Sequence, residues 1–140
     1  SCGQHINTGA YHKHSWYLIR HGELLGYSDS EHLMVAAIAR YHRRSLPKKR
    51  HESWQLIDGR EQRRTVASMA LLLRLAVALD RRPEPVLAGL QLRRDGDNRC
   101  SIRLEPMQTG QDLSLERWSL AACAPAVEEA VGVRLSVEER

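Results

Sequence analysis

The sequence has no phenylalanine, and aromatic residues fill only 5% of its 140 positions. A protein that holds single-stranded nucleic acid by stacking bases needs more aromatic faces than this, so base stacking is disfavoured as the main mode of binding. Cysteine is as sparse. Cys2, Cys100 and Cys123 are odd in number, far apart and without a C-x-x-C pair. That argues against a disulfide framework or a zinc ribbon and for a reducing, cytoplasmic setting. Long apolar runs are also missing: the longest, Ala67 to Leu79, is broken by Arg74 and falls short of the roughly 20 residues a membrane helix needs. With no signal-peptide pattern at the start, the chain is expected to be soluble, with no membrane partner. It opens on Ser1 without a Met, inside what reads as a structured region, and is expected to be a piece of a longer protein.

Familiar catalytic signatures are absent too. Ser15 beside His14 and Ser45 near His42 are neighbours in sequence, which does not make a triad, and there is no G-x-S-x-G elbow. "HINTG" has neither the G-x-x-x-x-G-K-[ST] pattern nor a strand before it.

What the chain does have is an uneven distribution of positive charge. The formal net charge is only +4, but "RYHRRSLPKKRH", Arg40 to His51, holds six of the 21 Lys and Arg residues and two histidines in twelve positions, with no acid. Such groups repel one another unless a partner neutralises them, and arginine forks bind phosphate oxygens in pairs. Arg40, Arg43, Arg44, Lys48, Lys49 and Arg50 are therefore candidate ligands for a phosphate-bearing polymer. A solvated loop after a helix is the bland alternative. RNA binding is the generic one, with Trp54 the aromatic just beyond the patch.

Hydrophobic residues at 42% can supply the core of one domain, or of a compact domain with a small appendage. In the first half, His14, Tyr17, Leu18 and His21 follow three-four spacing before Gly22, which predicts a helix with that face inward. Ser28 and Glu31 have the spacing of a capping box. The helix they open carries Met34, Ile38 and His42 on one face with Tyr41 beside them, and Pro47 closes it or stands just beyond. A third helix, about Arg60 to Asp80, is apolar around most of its circumference and is expected to be central and largely buried. On its remaining face Arg63, Arg74 and Arg81 recur at intervals of eleven and seven residues. At about 100° per residue they fall on nearly one side, a narrow arginine stripe floored by Ala67, Ala70 and Ala78 that could extend the basic patch.

After "RRPEP" the texture changes. "LAGLQLRR" and "RCSIRLEP" alternate around the turn "DGDN" and predict a β-hairpin. "DLSLERWSLAACAPAVEEAVG" is helical in composition with Pro125 as an internal fault, and "VRLSVEE" alternates again. The predicted class is mainly α with a small α+β part: a helical bundle to about residue 82, then a ββαβ appendage.

"YHKHS" and "RYHRR" put His14 and His42 on the expected inward stripes of adjacent helices, where two imidazoles could share a divalent metal. Two ligands do not make a site, and the central helix offers Val77 where a carboxylate would be needed. Hydrogen-bonded structural histidines are the stronger expectation.

The segment "GQHINTGAYHKHSWYLIRHGELLGYSDSEHLMVAAIARYHRRSLPK" resembles the C-terminal region of the exopolyphosphatase and guanosine pentaphosphate phosphatase family. Asn, then His-x-His-Ser-x-Tyr-x-Ile, then Gly-Phe/Tyr, then Arg-Tyr/Phe-His-Arg-Lys/Arg occur in order. The likeness continues more loosely through "LLLRLAVALDR" and "LERWSLAACAPAVEEAVGVRLSV". It implies an HD-like helical domain over residues 1–82, truncated at its N-terminus, and a small α/β domain over 83–140. In the full-length family these follow N-terminal actin-like catalytic domains, in which acidic residues and Mg²⁺ activate water to remove the terminal phosphate of polyphosphate. The resemblance implies that this region holds the distal inorganic polyphosphate chain and contributes to a homodimer interface. It also implies that the HD-type metal positions are incomplete: His14 and His42 match two histidines, while Ser1 and Val77 stand where acids are required. The leading expectation is a non-catalytic polyphosphate-binding region with no metal of its own and with His14 and His42 as vestigial ligands. The alternatives are a metal-dependent phosphohydrolase using those histidines, or an RNA-binding domain.

Overall fold

The computed structural model describes residues 2–5, 9–43 and 46–138, so the expectations for Ser1, Arg44 and Ser45 lie outside the described residues. The chain divides into two compact units, one reaching Leu73 and the other starting at Arg74. The division falls inside a helix.

In the first unit a 3-10 turn, Cys2–His5, precedes α1, Tyr11–His21, and α2, Asp29–Tyr41. A short α3, Glu52–Gln55, follows, and then the first turns of α4, Arg60–Leu79. The turn is locked onto α1: the Gly3 N–H donates to Ser15 Oγ at 3.1 Å, and the Ser15 hydroxyl donates to the Tyr11 carbonyl at 3.0 Å. A Cβ at Gly3 would overlap the Tyr11 carbonyl oxygen, so only glycine permits this approach. The packed side of α1 is consequently His12, Ser15, Trp16 and Ile19, whereas Tyr17, Leu18 and His21 are exposed. The expected inward face, His14-Tyr17-Leu18-His21, is corrected by two residues. Both sets have the same period, and the small Ser15 that admits the turn selects the phase.

The capping box on α2 forms as expected: the Glu31 N–H donates to Ser28 Oγ at 3.3 Å, and the Ser28 N–H donates to the Glu31 carboxylate at 2.8 Å. These bonds from Ser28 hold the Glu31 carboxyl below its ordinary range. His32 on α2 donates from Nε2 to the Ile19 carbonyl and so ties α2 to α1. Ala37, Tyr41, Ile57, Val66 and Ala70 form the core of this unit, with Leu33, Met34 and Ile38 packed around them. Tyr41 is thus a centre of the core rather than a flank of the Met34–Ile38 face.

The second unit takes the remaining turns of α4, then β1, Leu87–Arg94, and β2, Arg99–Pro106. β1 and β2 pair antiparallel around the predicted turn. α5, Ser114–Ala121, and α6, Ala124–Val131, lead to β3, Arg134–Val137, which runs parallel to β2, giving the order β1-β2-β3. The single expected helix is therefore two. Pro125 starts the second, where the first turn has no use for its missing N–H. Val86, Ile102, Leu104, Leu113 and Leu120 make the core, with Leu75, Leu79, Leu135 and Val137 against it.

α4 is not buried all round: Met69, Leu72, Leu73 and Val77 are exposed, so Val77 does not lie on a packed face. Its early turns give Val66 and Ala70 to one core, and its late turns give Leu75 and Leu79 to the other. Met69, Leu72, Leu73 and Val77 enter neither core. Among the described residues no helix is long and apolar enough to cross a membrane.

One ion pair anchors the second unit. Arg82 grips Glu116 with both arms of its fork, Nε to Oε1 at 2.8 Å and Nη2 to Oε2 at 3.2 Å, and also donates to the Asp112 carbonyl. Glu116 is wholly buried while Arg82 is about one-third exposed, so the carboxylate depends on this partner. Replacing Arg82 by Met keeps the aliphatic stem but strands a buried charge, which is expected to cost about 3 kcal/mol of stability. The measurement is the urea midpoint, and an unchanged midpoint would show the pair to be dispensable.

Candidate anion-binding site

The basic stretch runs off the end of α2, bends back and enters α3. Arg40 is half-buried, its guanidinium carbon 5.9 Å from the centre of the Tyr41 ring. Arg43 is exposed and lies 4.3 Å over the Tyr11 ring, a cation–π contact. Lys48, Lys49 and Arg50 are all exposed.

This second part of the stretch is a closed turn, not a loop free to follow a ligand. The His51 N–H donates to the Lys48 carbonyl at 2.9 Å, and the Gln55 side chain donates to the Lys49 carbonyl at 3.0 Å. In return, the Lys48 N–H reaches His51 Nδ1 at 3.3 Å. The cationic side chains therefore project from a braced backbone, which reduces the ordering cost of binding.

The brace is rooted in the core. Tyr41, only 1% exposed, places its hydroxyl 2.6 Å from Ser53 Oγ and 3.1 Å from His51 Nδ1. The Tyr41 and His51 rings stack at 5.7 Å with 15° between their planes. A backbone N–H can only donate, so His51 Nδ1 accepts and the neutral imidazole carries its proton on Nε2. Burial pushes the His51 pKa down, and the nearby charges of Arg40, Arg50, Lys48 and Lys13 push it further. The Tyr41 phenol is pushed up by burial, against the opposing effects of Ser53 and Arg40, and stays protonated.

The charges of four cations from three elements thus act on one neutral imidazole: Lys13 from α1, Arg40 from α2, and Lys48 and Arg50 from the turn. Lys13 and His51 were not among the expected ligands. The available signal for Lys13 was its place between the two histidines of "YHKHS", which matters only once the phase of α1 is known.

The three arginines of the expected stripe have different surroundings. Arg63 donates from Nε to the Ile57 carbonyl at 3.0 Å and lies 6.0 Å over the Trp54 ring. Arg74 is half-buried in the second unit, where burial lowers its pKa while Cys123 and Glu129 oppose the shift. Arg81 is exposed but lies past the end of α4, beyond the reach of helical periodicity. Trp54 is packed against the first core, edge-on to Tyr41 at 6.1 Å, so it is no open platform for a base.

Of the two expected metal histidines, His42 is buried and directs Nδ1 to the Ala39 carbonyl at 2.7 Å, whereas His14 is only half-buried. The buried histidine on α1 is His12. The Tyr11 ring lies 6.4 Å from the His12 ring and 6.1 Å from that of His42. Among the described residues no three His, Cys, Asp or Glu side chains converge as a group able to hold a metal ion.

The class these observations define is a helical unit followed by a small mixed sheet, with a braced cationic turn on the first. A family model described as Ppx/GppA phosphatase, domain III, matches residues 1–123, and the chain belongs to that family. It is similar to the guanosine-5'-triphosphate,3'-diphosphate pyrophosphatase of Pseudoalteromonas translucida (strain TAC 125), 44% identical over 43 residues. That stretch is 31% of this chain and 9% of the relative's length.

Two outcomes test this geometry. Tyr41→Phe removes the hydroxyl from between Ser53 and His51 and is expected to cost about 1–3 kcal/mol, because the buried Ser53 hydroxyl loses its partner. Chemical denaturation measures this, and a loss within error would mean water substitutes fully. The second is a pH dependence. The folded-state pKa of His51 lies below the roughly 6.5 of a free histidine, so the unfolded chain takes up the proton first as pH falls. The stabilising contribution is complete above about pH 6.5 and is lost as pH falls through the folded-state titration. Urea midpoints between pH 8 and pH 5 are expected to fall with pH in the wild type and more shallowly in His51→Gln. Parallel curves would exclude His51 as the source.

Proposed function

We propose that the chain is the polyphosphate-binding, non-catalytic portion of an exopolyphosphatase-type phosphohydrolase, whose full-length form removes terminal phosphate from inorganic polyphosphate. The carrying observation is the braced turn, closed by the His51 N–H on the Lys48 carbonyl and the Lys48 N–H on His51 Nδ1, in a stretch with no acid between positions 40 and 51. Arg43 and Lys49, both exposed, add positive charge along the same segment, and Arg44 belongs to it in sequence. Membership of the Ppx/GppA family supports a phosphoanhydride ligand.

In this reading the partners are inorganic polyphosphate, N-terminal catalytic domains of the same protein and a second copy in a homodimer, all in the cytoplasm. Mg²⁺ belongs to those catalytic domains. The described residues here bring together no set of side chains to hold it.

Many weak phosphate contacts along one polymer raise its local concentration and favour repeated cleavage before release. The relative's name points to guanosine-5'-triphosphate,3'-diphosphate, which offers similar phosphoanhydride oxygens on a much shorter frame. Chain length separates the two ligands. Titrations with polyphosphates of graded length at several salt concentrations are expected to give tighter binding to longer chains, weakened by salt. The Lys48→Ala, Lys49→Ala, Arg50→Ala triple variant is expected to lose most of that affinity. Binding that is negligible, independent of length or untouched by the triple variant would overturn the proposal. Equal competition by RNA at equal charge would favour nucleic acid instead.

A further inference from the structure

The neutral histidine at the centre of the cationic turn has a consequence beyond simple charge attraction. Its ring is not a surface ornament: Nδ1 is engaged by the Tyr41 hydroxyl and the Lys48 N–H, and one ring face is stacked on Tyr41. That leaves Nε2–H as the donor of the neutral ring. The Tyr41 phenol meets it directly, and the charges that act on it are those of Lys13 from α1, Arg40 from α2, and Lys48 and Arg50 from its own turn. Glu52, the next residue, opens α3 and is exposed.

We propose that Lys13, Arg40, Lys48, Arg50 and His51 form one oxyanion subsite, in which His51 takes up a proton as a phosphate group arrives. The inference rests on the polyphosphate reading and adds to it two ligands and a proton. In the free protein the imidazole is kept neutral by burial and by four positive neighbours. A phosphate among those neighbours cancels their field and adds negative charge beside Nε2, so the charged ring becomes the favoured form. The incoming proton comes from solvent and binds Nδ1. The Lys48 N–H can then no longer donate to that atom, and it turns outward as a further donor to the oxyanion. The Tyr41 hydroxyl remains at Nδ1 as an acceptor, so the ring keeps its place on the core.

Reciprocity follows from linkage: if phosphate favours the proton, the proton favours phosphate. A rise of about one unit in the pKa of the ring corresponds to binding about tenfold tighter below the titration than above it. Arginine and lysine do not titrate across this range, so with them alone affinity would weaken toward low pH as the terminal phosphates of the ligand take up protons.

The test uses the whole chain and sodium tripolyphosphate as the probe. The ring-carbon NMR signals of His51 are followed from pH 8 to pH 5 with and without saturating probe, and the titration midpoint is expected to rise in its presence. Calorimetry near pH 6.5 in two buffers of different ionisation enthalpy is expected to show net proton uptake. His51→Gln is expected to bind more weakly than wild type at pH 8 and to lack the tightening at pH 5.5. Lys13→Gln is expected to weaken binding at both values. Heat of binding with an unmoved His51 midpoint, or proton uptake that persists in His51→Gln, would overturn the inference and leave the polyphosphate reading standing. Unchanged affinity in Lys13→Gln would remove the α1 ligand and overturn the subsite as drawn. Absence of binding at every pH would overturn the polyphosphate reading and this inference with it.

Discussion

The hydroxyl of Tyr41 is the contact on which the basic turn depends. It is buried within the apolar core of the first unit, yet it meets Ser53 and His51, so one side chain belongs at once to packing and to the polar surface. A buried hydroxyl must find partners or cost stability. Here its partners lie ten and twelve residues further on, beyond a proline and a run of cations. Meeting that requirement draws the chain back against α2 and α3 and braces a segment whose charges would otherwise spread it apart.

The second unit solves a related problem with charge. Glu116 is held in an apolar setting only because Arg82 reaches it with two bonds and clasps the Asp112 carbonyl as well. Both units therefore hold a loop to a core through one polar side chain with several partners. α4 contributes to the two cores from different turns and leaves Met69, Leu72, Leu73 and Val77 exposed between and beside those contributions.

Local rules were readable in advance wherever the partners are close in sequence. The capping box spans three residues, and the hairpin of β1 and β2 turns on "DGDN"; both formed where expected. Pro125 was correctly read as a fault, though the chain answers it by starting a new helix. The phase of α1 was not readable. His14-Tyr17-Leu18-His21 and His12-Ser15-Trp16-Ile19 have identical spacing, and bulk favoured the set that proves more exposed. The deciding contact is Gly3 against Ser15, and a helical wheel does not contain it. The arginine stripe meets the same limit: periodicity gives direction around a helix, but not what each guanidinium will meet.

The sequence by itself determined the element types, the antiparallel hairpin and a concentration of positive charge without acids, because capping, turn chemistry and charge density act over a few residues. Only the tertiary structure decided that His12 rather than His14 is buried on α1. It also decided that the charge of Lys13 acts on His51 and that the His51 ring accepts at Nδ1. Those facts depend on groups ten or more residues apart, brought together by burial of Tyr41 and the approach of Gly3 to α1.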